Sequence, residues 1–330
     1  MYYFCTYFDQ NYLPRALALY QSLQKQCPDF KLWALCMDEF SYNILSYLNL
    51  PKMQLISLSQ FEEGDTALLA AKPTRSRVEY YFTCTPSLPL YILKHWVEVD
   101  LITYLDADLF FFADPAPIYT ALQNYSIGII SHRFAPKIKY IEQHGKYNVG
   151  WLSFRRDKPS LVCLNWWREQ CLEWCYDKPD GNRFGDQKYL DEWPHLFQGV
   201  LEIEHLGANL APWNFDNYTL TVKDGQVWVN EYPLIFFHFQ GLEIITSRLY
   251  NINLTKYKAK PSKVLLQNVY RGYIKKLLAF TADAIGKNIE YRQIRQMHFL
   301  YWRRLRYTII DIVGRSYIIS INDNLIDIGF

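Results

Sequence analysis

The sequence feature that most restricts the fold of this chain is a pair of acidic residues inside an apolar stretch. Asp106 and Asp108 directly follow the apolar run 101–105, and they directly precede the apolar residues 109–112. Such flanks predict a buried parallel strand that ends at the two carboxylates. Open α/β sheets form their ligand crevices at the carboxyl ends of parallel strands, so the pair predicts a polar site at that edge.

Two explanations of the acidic pair are open at this point. Asp-x-Asp triplets often cap helices or occupy solvated turns. Carboxylates in an apolar segment are costly, however, unless they are paired or bind a cation. Mg²⁺ or Mn²⁺ held by carboxylates and substrate phosphates is the usual arrangement in nucleotide chemistry. The apolar flanks favour a nucleotide-sugar site of this kind.

The apolar patterns along the chain predict an alternation of strands and helices. Residues 2–8 are strand-like, residues 13–26 have helical spacing, and residues 31–37 return to a strand. Residues 77–96 are mostly helical, with breaks or kinks at Pro86 and Pro89. Later segments predict helices at 115–123, at 160–174 and from 186, and strands at 126–131, 149–154, 200–204, 219–222, 226–229 and 234–239. We expect an α/β fold with a doubly wound, mostly parallel sheet and a small antiparallel subsheet.

The composition is that of a large domain that can fold without metal or disulfides. Half of the 330 residues are apolar, which allows a sizeable core. The seven cysteines are scattered and form no zinc-ligand set, so we expect buried reduced thiols. Because residues 2–8 look like a first strand rather than a signal peptide, we expect a cytoplasmic protein.

Basic residues are concentrated near the carboxyl terminus. Residues 256–306 contain thirteen Lys or Arg against two acids, whereas the whole chain has a net charge of +2. We therefore expect two units, a catalytic domain at 1–255 and a basic, largely helical extension at 256–330. On a helix over 287–306, the arginines at 292, 295, 303 and 306 share one stripe. Such a helix either lies on an anionic membrane surface or packs its apolar side on the domain, and no motif indicates nucleic acid.

Three further segments carry side chains that suit sugar transfer. Asn148 stands close to Gly150, Asp186 and Gln187 stand at a predicted helix start, and His238 lies in a late apolar strand. A neutral imidazole beside two carboxylates completes a ligand set for a divalent cation. The alternative for His238 is a core histidine with satisfied hydrogen bonds.

Five short motifs, taken in their order along residues 2–242, resemble a known family. The chain is similar to the nucleotide-diphospho-sugar transferases with the GT-A fold, most closely to the retaining glycosyltransferase family 8 group and its bacterial relatives. The motifs are Thr6-Tyr7-Phe8 with Tyr12, Tyr104-Leu105-Asp106-Ala107-Asp108, Asn148-Val149-Gly150, Gly185-Asp186-Gln187 and His238-Phe239-Gln240-Gly241.

For the donor, the resemblance implies that Thr6 and Tyr12 lie near the nucleotide base and that Asn148 touches the sugar. Gly241, at the end of the last motif, is expected to be a donor-binding residue. Arg77 is similar to a basic residue that contacts the donor in such folds. A surface arginine paired with a nearby acid is the alternative for Arg77.

For the metal and the reaction, the resemblance implies that Asp108 and His238 bind Mn²⁺ or Mg²⁺, and that Asp106 contacts metal or ribose. Asp186 and Gln187 are expected to line the reacting centre. The expected activity is transfer of a hexose from a nucleotide diphosphate sugar, UDP-linked by preference, to a glycan or lipid-linked acceptor with retention. The expected location is the cytoplasm, with peripheral membrane contact through 287–306.

The sequence departs from this family after Gly241. Family members usually continue with a Lys-Pro-Trp that touches the diphosphate, whereas residues 242–248 contain no lysine. Arg248 or Lys256 is the expected replacement for that cation.

Two other functions compete with sugar transfer. A nucleotidyl or sugar-phosphate transferase usually has a Gly-rich loop near the first strand, but residues 1–30 contain no glycine. A non-catalytic scaffold would keep the fold and bind membranes or partners through its basic extension. An intact Asp106, Asp108 and His238 set argues against the scaffold, because it is costly to maintain without a ligand.

Overall fold

The computed structural model describes residues 1–27, 29–246, 249–286, 317–321 and 324–327. The strands are β1 Tyr2–Phe8, β2 Phe30–Cys36, β3 Met53–Ser57, β4 Leu101–Leu105, β5 Leu109–Phe111, β6 Ile127–Ser131, β7 Tyr147–Arg155, β8 Val200–Glu202, β9 Leu220–Lys223, β10 Gln226–Val229, β11 Tyr232–Pro233, β12 Phe236–His238, β13 Glu243–Ile244, β14 Leu249–Asn251, β15 Tyr317–Ile321 and β16 Asn324–Asp327. The α-helices are α1 Leu13–Gln26, α2 Glu39–Leu48, α3 Leu58–Glu62, α4 Thr66–Ala71, α5 Arg77–Cys84, α6 Ser87–His95, α7 Ala116–Ala121, α8 Lys158–Glu173, α9 Trp193–Leu196 and α10 Arg271–Gly286.

The central sheet has seven strands in the order β3-β2-β1-β4-β7-β6-β8. Strand β7 is antiparallel to both of its neighbours, and every other pairing in the sheet is parallel. Helices separate the parallel strands along the chain, as crossovers between parallel strands require. A separate antiparallel sheet has three strands in the order β11-β10-β9. The expected fold class, an α/β fold with a doubly wound, mostly parallel sheet and a small antiparallel subsheet, is confirmed.

The reversed direction of β7 brings its first residues to the edge where β4 ends. Leu105 pairs with Trp151, and the Asp106 amide donates to the Gly150 carbonyl at 3.1 Å. The start of β7, which carries Asn148, therefore lies next to the acidic pair. Residues far apart in sequence meet at one edge because two neighbouring strands run in opposite directions.

A short ribbon of β5 and β12 carries the histidine to the same edge. The two strands are antiparallel, and Leu109 pairs with His238. Phe236 fixes the ribbon by stacking on Trp151 at 5.2 Å and packing on Phe111 at 5.4 Å between ring centroids. Such aromatic pairs contribute about 0.5–1.5 kcal/mol each beyond their buried area. The histidine two residues further on is thus held by the core.

Two helices near this edge begin with clear local signals. Helix α1 begins after Tyr12 and has Pro14 in its first turn, where a missing amide hydrogen costs nothing. Helix α5 begins after Ser76, which forms a capping box with Glu79. The expected break at Pro86 is present, because α5 ends at Cys84 and α6 begins at Ser87.

The segment after residue 255 shares a core with the segment before it. One apolar cluster joins Phe237 and Phe239 to the π-helical segment Leu265–Tyr270 and to Tyr273 of α10. Strands β15 and β16 extend the β13–β14 hairpin into a four-stranded sheet. The division into units at 1–255 and 256–330 stays a prediction. The predicted helix over 287–306, with its arginine stripe, lies outside the described residues.

Several local expectations have a definite outcome. All seven cysteines are buried and free, as expected. Asp186 and Gln187 do not begin an α-helix, because a 3-10 turn over Lys188–Glu192 leads into the short α9. Pro194, in the first turn of α9, has no amide hydrogen to donate to the carbonyl four residues earlier, so an α-helix that began at Asp186 could not continue through it without losing a hydrogen bond. Of the helices that the structure describes, none combines the length and the apolarity needed to cross a bilayer.

Candidate active site

Two carboxylates and one imidazole converge at the end of β4. The potential ligand atoms of Asp106, Asp108 and His238 all lie within 4.8 Å of one another. His238 Nε2 is 3.1 Å from Asp108 Oδ1 and 3.6 Å from Asp106 Oδ2. We name these three residues the acidic triad. The alternative of a solvated turn is excluded for Asp108, which is 5% exposed.

The backbone around the triad explains this convergence. Leu109 donates its amide to the Asp106 carbonyl at 3.2 Å, which closes a tight turn between β4 and β5. The Phe239 amide donates to the Asp108 carbonyl at 3.0 Å, next to His238 on β12. The three side chains are therefore fixed by main-chain hydrogen bonds of the turn and of the ribbon.

The charges of Asp108 and His238 stabilise each other. Burial opposes ionisation of Asp108, but the charge and hydrogen bond of His238, and then Arg15, lower its pKa overall. Burial likewise opposes the charged form of His238, but the charge and hydrogen bond of Asp108, and then Asp106, raise its pKa overall. A negative carboxylate is thus maintained inside the protein.

Asp106 is held differently. Its side chain is 31% exposed, and its Oδ1 accepts a hydrogen bond from the Tyr104 hydroxyl at 2.9 Å. Desolvation raises the pKa of Asp106 most, with Asp108 adding to it and His238 opposing it. Asp106 is therefore the triad member whose charge most needs an added cation.

The second nitrogen of His238 is also engaged. His238 Nδ1 is 3.2 Å from Asn148 Oδ1, and Asn148 Nδ2 is 3.2 Å from His132 Nε2. The Gly150 amide donates to the same Asn148 oxygen at 3.1 Å. Asn148 is 5% exposed, and both the oxygen and the nitrogen of its side-chain amide have hydrogen-bond partners inside the protein. Its predicted contact with a donor sugar stays a prediction.

Asp186 lies at the same edge, and among the described residues no cation contributes to its pKa. It is 6% exposed, and its carboxylate hydrogen-bonds the Thr85 hydroxyl. Burial raises the pKa of Asp186 to about 7, with the charge of Asp106 adding to the effect. Burial, followed by the charges of Asp186 and Asp106, raises the pKa of Tyr7. The Tyr7 hydroxyl is 3.1 Å from the Thr85 hydroxyl. Its ring packs on Tyr104, the partner of Asp106, so the tyrosine lies between the two carboxylates' partners.

Gln187 is turned toward a neighbouring loop. Its Nε2 donates to the His144 carbonyl at 3.2 Å, and a Cβ at Gly145 would lie 3.1 Å from its Cγ. Gly145 has a φ of +131°, which disfavours other residues there. Gln187 is thus placed against a loop that needs glycine, next to Asp186.

The residues expected to bind the nucleotide lie around the end of β1. Thr6 is fully buried, and its hydroxyl has no hydrogen-bond partner in the described part of the chain. Arg77 is exposed, and its Nη1 is 3.8 Å from the buried Asp9. This pairing is the one named above as the alternative for Arg77. The exposed Tyr12 lies close enough to Asp108 for that charge to raise its pKa to about 12.

Arg15 is a further cation at this site, and no motif in the sequence indicates it. Its guanidinium lies over the Tyr12 ring, 4.6 Å from the centroid, and its Nη2 donates to the Leu242 carbonyl at 2.7 Å. It lowers the pKa of Asp108. One signal was available, because Arg15 stands one helical turn after Tyr12. Arg15 therefore lies next to the loop that lacks the expected lysine.

The two cations expected to replace that lysine have different outcomes. Arg248 lies outside the described residues. Lys256 is exposed and lies near His144, whose pKa is lowered by burial first and then by Lys256 and Lys188. Gly241 has a φ of +76°, and a Cβ there would overlap the side chain of Asn253. The turn at the end of the histidine motif therefore requires glycine.

The acidic triad fits a divalent cation by its chemistry. It offers two carboxylates and one imidazole, and such oxygen and nitrogen donors suit Mg²⁺ and Mn²⁺. Three protein ligands leave coordination positions for substrate phosphates. Among the residues that the structure describes, this is the one cluster of three such side chains within bonding reach of a shared ion.

Comparisons with known proteins identify relatives. No family model matches the chain. A solved structure of the galactosyltransferase LgtC with donor and acceptor sugar analogs is similar at a TM-score of 0.49 and 16% identity, covering 72% of this chain and 87% of LgtC. The uncharacterized protein YfnD of Bacillus subtilis (strain 168) is 32% identical over 276 residues, which are 83% of this chain and 88% of YfnD. The uncharacterized protein YfnF of the same strain is 36% identical over 251 residues, 74% of this chain and 82% of YfnF. Because the identity exceeds 30% over most of each sequence, the chain belongs to the family of YfnD and YfnF.

Proposed function

We propose that this protein is a metal-dependent glycosyltransferase that moves a hexose from a nucleotide diphosphate sugar to a glycan or lipid-linked acceptor. The observation that supports it most is the acidic triad at the end of β4, with Asp186 facing the same region. UDP is the nucleotide that we propose for the donor. The proposal includes a cytoplasmic site of action and peripheral membrane contact through 287–306.

The donor would lie along the edge formed by β1, β4 and β7. Tyr12 offers an exposed ring for a base, and Thr6 offers a buried hydroxyl without a partner in the described part of the chain. Arg15 and the triad would then face the diphosphate. A divalent ion, Mn²⁺ or Mg²⁺, supplies the Lewis acid that stabilises charge on the leaving diphosphate.

Asp186 and Gln187 are proposed to act at the anomeric carbon. Cleavage of the sugar–phosphate bond leaves positive charge on that carbon, and an ionised Asp186 would stabilise it. The hydrogen bond from Thr85 holds the carboxylate in place. Gln187, fixed against His144, would position the sugar.

The transfer needs no strong protein base in this scheme. The bond from the anomeric carbon to the diphosphate oxygen breaks, and a bond to the acceptor oxygen forms on the same face. The acceptor hydroxyl passes its proton to the leaving diphosphate oxygen. Retention of configuration is part of the proposal.

A donor panel tests this function. The full chain is incubated with UDP-linked and other nucleotide-linked hexoses, with and without Mn²⁺, and released nucleotide is measured. We expect Mn²⁺-dependent release from one donor, and Mn²⁺-dependent thermal stabilisation by UDP. If no donor releases nucleotide and no nucleotide stabilises the protein, the proposal is contradicted and a scaffold is favoured.

A further inference from the structure

We propose that Asn148 and His132 are positioning residues that hold the His238 imidazole with its Nε2 lone pair directed at the bound cation. This inference rests on the proposed metal site. It assigns Asn148 a task in addition to the sugar contact, and it assigns a task to His132, which no sequence motif indicated.

The polarity of the hydrogen bonds runs one way along this set of side chains. The Lys146 carbonyl can only accept, and it lies 3.1 Å from His132 Nδ1, so that nitrogen carries the hydrogen. His132 Nε2 is then an acceptor for Asn148 Nδ2 at 3.2 Å. The set of His132 and Asn148, linked in this way, is called the relay below.

The oxygen of Asn148 completes the relay. Because its nitrogen faces His132, its oxygen accepts from the Gly150 amide at 3.1 Å and from His238 Nδ1 at 3.2 Å. Nε2 lies 3.1 Å from Asp108 Oδ1 and donates to it while His238 is charged, so a hydrogen retained on Nδ1 leaves Nε2 as the atom that would replace its hydrogen with a cation. Partners of this kind on a ligating histidine fix its tautomer and ring orientation.

Packing keeps the relay rigid. The His132 ring stacks on Phe134 with centroids 4.6 Å apart and an interplanar angle of 9°. The Trp213 ring meets His132 edge-on at 5.2 Å and His238 edge-on at 5.1 Å. The two imidazoles are therefore packed on one indole as well as joined through Asn148. Burial lowers the pKa of His132 to about 3, so its ring is neutral at physiological pH.

Gly150 supplies the space that the relay needs. A Cβ at this position would lie 2.6 Å from Asn148 Oδ1 and 2.8 Å from His238 Cε1. Those distances are far below van der Waals contact, so any larger residue would push the amide and the imidazole apart. The glycine of the Asn-Val-Gly motif is explained by this close approach rather than by backbone conformation.

Binding of Mn²⁺ to the full chain tests the inference without using activity. Free Mn²⁺ is measured by electron paramagnetic resonance for the wild type, Asn148→Leu, His132→Phe and His132→Gln. We expect Asn148→Leu and His132→Phe to bind Mn²⁺ about 10–100-fold more weakly. His132→Gln keeps an acceptor for Asn148 Nδ2, so its affinity should stay near that of the wild type. His195→Gln, at an exposed position, is the matched control.

A second readout separates positioning from general damage. Long-range ¹H–¹⁵N spectra of the metal-free protein at high pH report the His238 tautomer. We expect the hydrogen on Nδ1 in the wild type and on Nε2, facing Asp108, in Asn148→Leu. Equal Mn²⁺ affinity and an unchanged tautomer in a folded Asn148→Leu variant would overturn the relay, whatever the fate of His132→Phe. A wild type that binds no Mn²⁺ would instead overturn the metal site itself.

Discussion

Asp108 and Asp186 are buried to the same extent at the same edge of the sheet, yet their surroundings shift their pKa values in opposite directions. Asp108 is 5% exposed and has His238 and Arg15 beside it, so its pKa is lowered. Asp186 is 6% exposed and has a hydroxyl, Thr85, as its polar partner, so its pKa is raised to about 7. Burial is equal, and the neighbouring cations decide the difference.

This difference suggests a division of tasks. A carboxylate that stays ionised is ready to bind a cation before any substrate arrives. A carboxylate that ionises reluctantly is most useful when positive charge develops next to it. The contrast leads us to expect that changes at Asp108 act on metal affinity and that changes at Asp186 act on the rate.

Removing Asp108 should give the largest effect. Asp108→Ala deletes one ligand and leaves His238 without its main partner, so we expect Mn²⁺ affinity and kcat/KM both to fall by about 10³-fold or more. Calorimetric Mn²⁺ titration and nucleotide release measure the two quantities. Asp100→Ala, just before the opposite end of β4, is the matched control and should bind and react like the wild type. Full Mn²⁺ binding by Asp108→Ala would refute the assignment of this ligand.

Replacing Asp186 should affect rate and leave metal binding alone. Asp186→Asn keeps the shape and removes the charge, so we expect kcat to fall about 10²–10³-fold, as for loss of an electrostatic stabiliser. Mn²⁺ affinity should stay within about twofold of the wild type. The same titration and release assays measure both quantities. A parallel loss of Mn²⁺ affinity would show that Asp108 and Asp186 act as one unit.

Folding stability should reveal the raised pKa of Asp186. Between the unfolded pKa of 3.8 and the folded value of about 7, the folded state holds a proton that the unfolded state has lost. The contribution of this group to the free energy of unfolding therefore falls as the pH rises from about 4 to 7. By pH 8, ionisation of the buried carboxyl lowers the free energy of unfolding by on the order of 2–4 kcal/mol. Asp186→Asn escapes that cost.

Thermal melts in EDTA at pH 5 and pH 8 make this measurement. We expect the melting temperature of Asp186→Asn, relative to the wild type, to be several degrees higher at pH 8 than at pH 5. A constant difference between the two proteins across this range would mean that Asp186 ionises normally in the folded state.

Replacing Arg15 should have the smallest effect among these predictions. Arg15→Gln removes the cation beside Asp108 and keeps a donor for the Leu242 carbonyl. We expect about tenfold weaker binding of UDP in the presence of Mn²⁺, the size of one lost charged contact. Lys256→Gln, which removes the other described candidate for the missing lysine, is the comparison. If Lys256→Gln loses more UDP affinity than Arg15→Gln, then Lys256 rather than Arg15 contacts the diphosphate.

The strand that carries the acidic pair could be predicted because its signal is local. Residues 101–105 form β4 as expected, and α1 spans Leu13–Gln26 as expected. The residue types and the resemblance both predict the convergence of Asp106, Asp108 and His238, and the structure brings their ligand atoms together. The apolar flanks and the order of motifs were sufficient for that much.

The remainder of the site depends on contacts that no local pattern encodes. Strand β5 has three residues and pairs with β12 across more than a hundred positions, so its pattern is too short to recognise. His132 follows β6 with no motif around it. Arg15 resembles any exposed residue of an amphipathic helix until the Leu242 loop is placed against it. Their roles arise from the tertiary structure.

The pairing of β14 with β15 has a practical consequence for shortened versions of the protein. Leu249 and Tyr250 pair with Ile319 and Ile318 of β15. Ending the chain before residue 317 would leave the outer backbone groups of β14 open, a few residues from the Gly241 turn. Uncapped strand edges of this kind attract other chains and promote self-association. Expression trials of a shorter version of the protein should therefore retain β15 and β16, even though these strands lie far in sequence from the edge that carries the acidic triad.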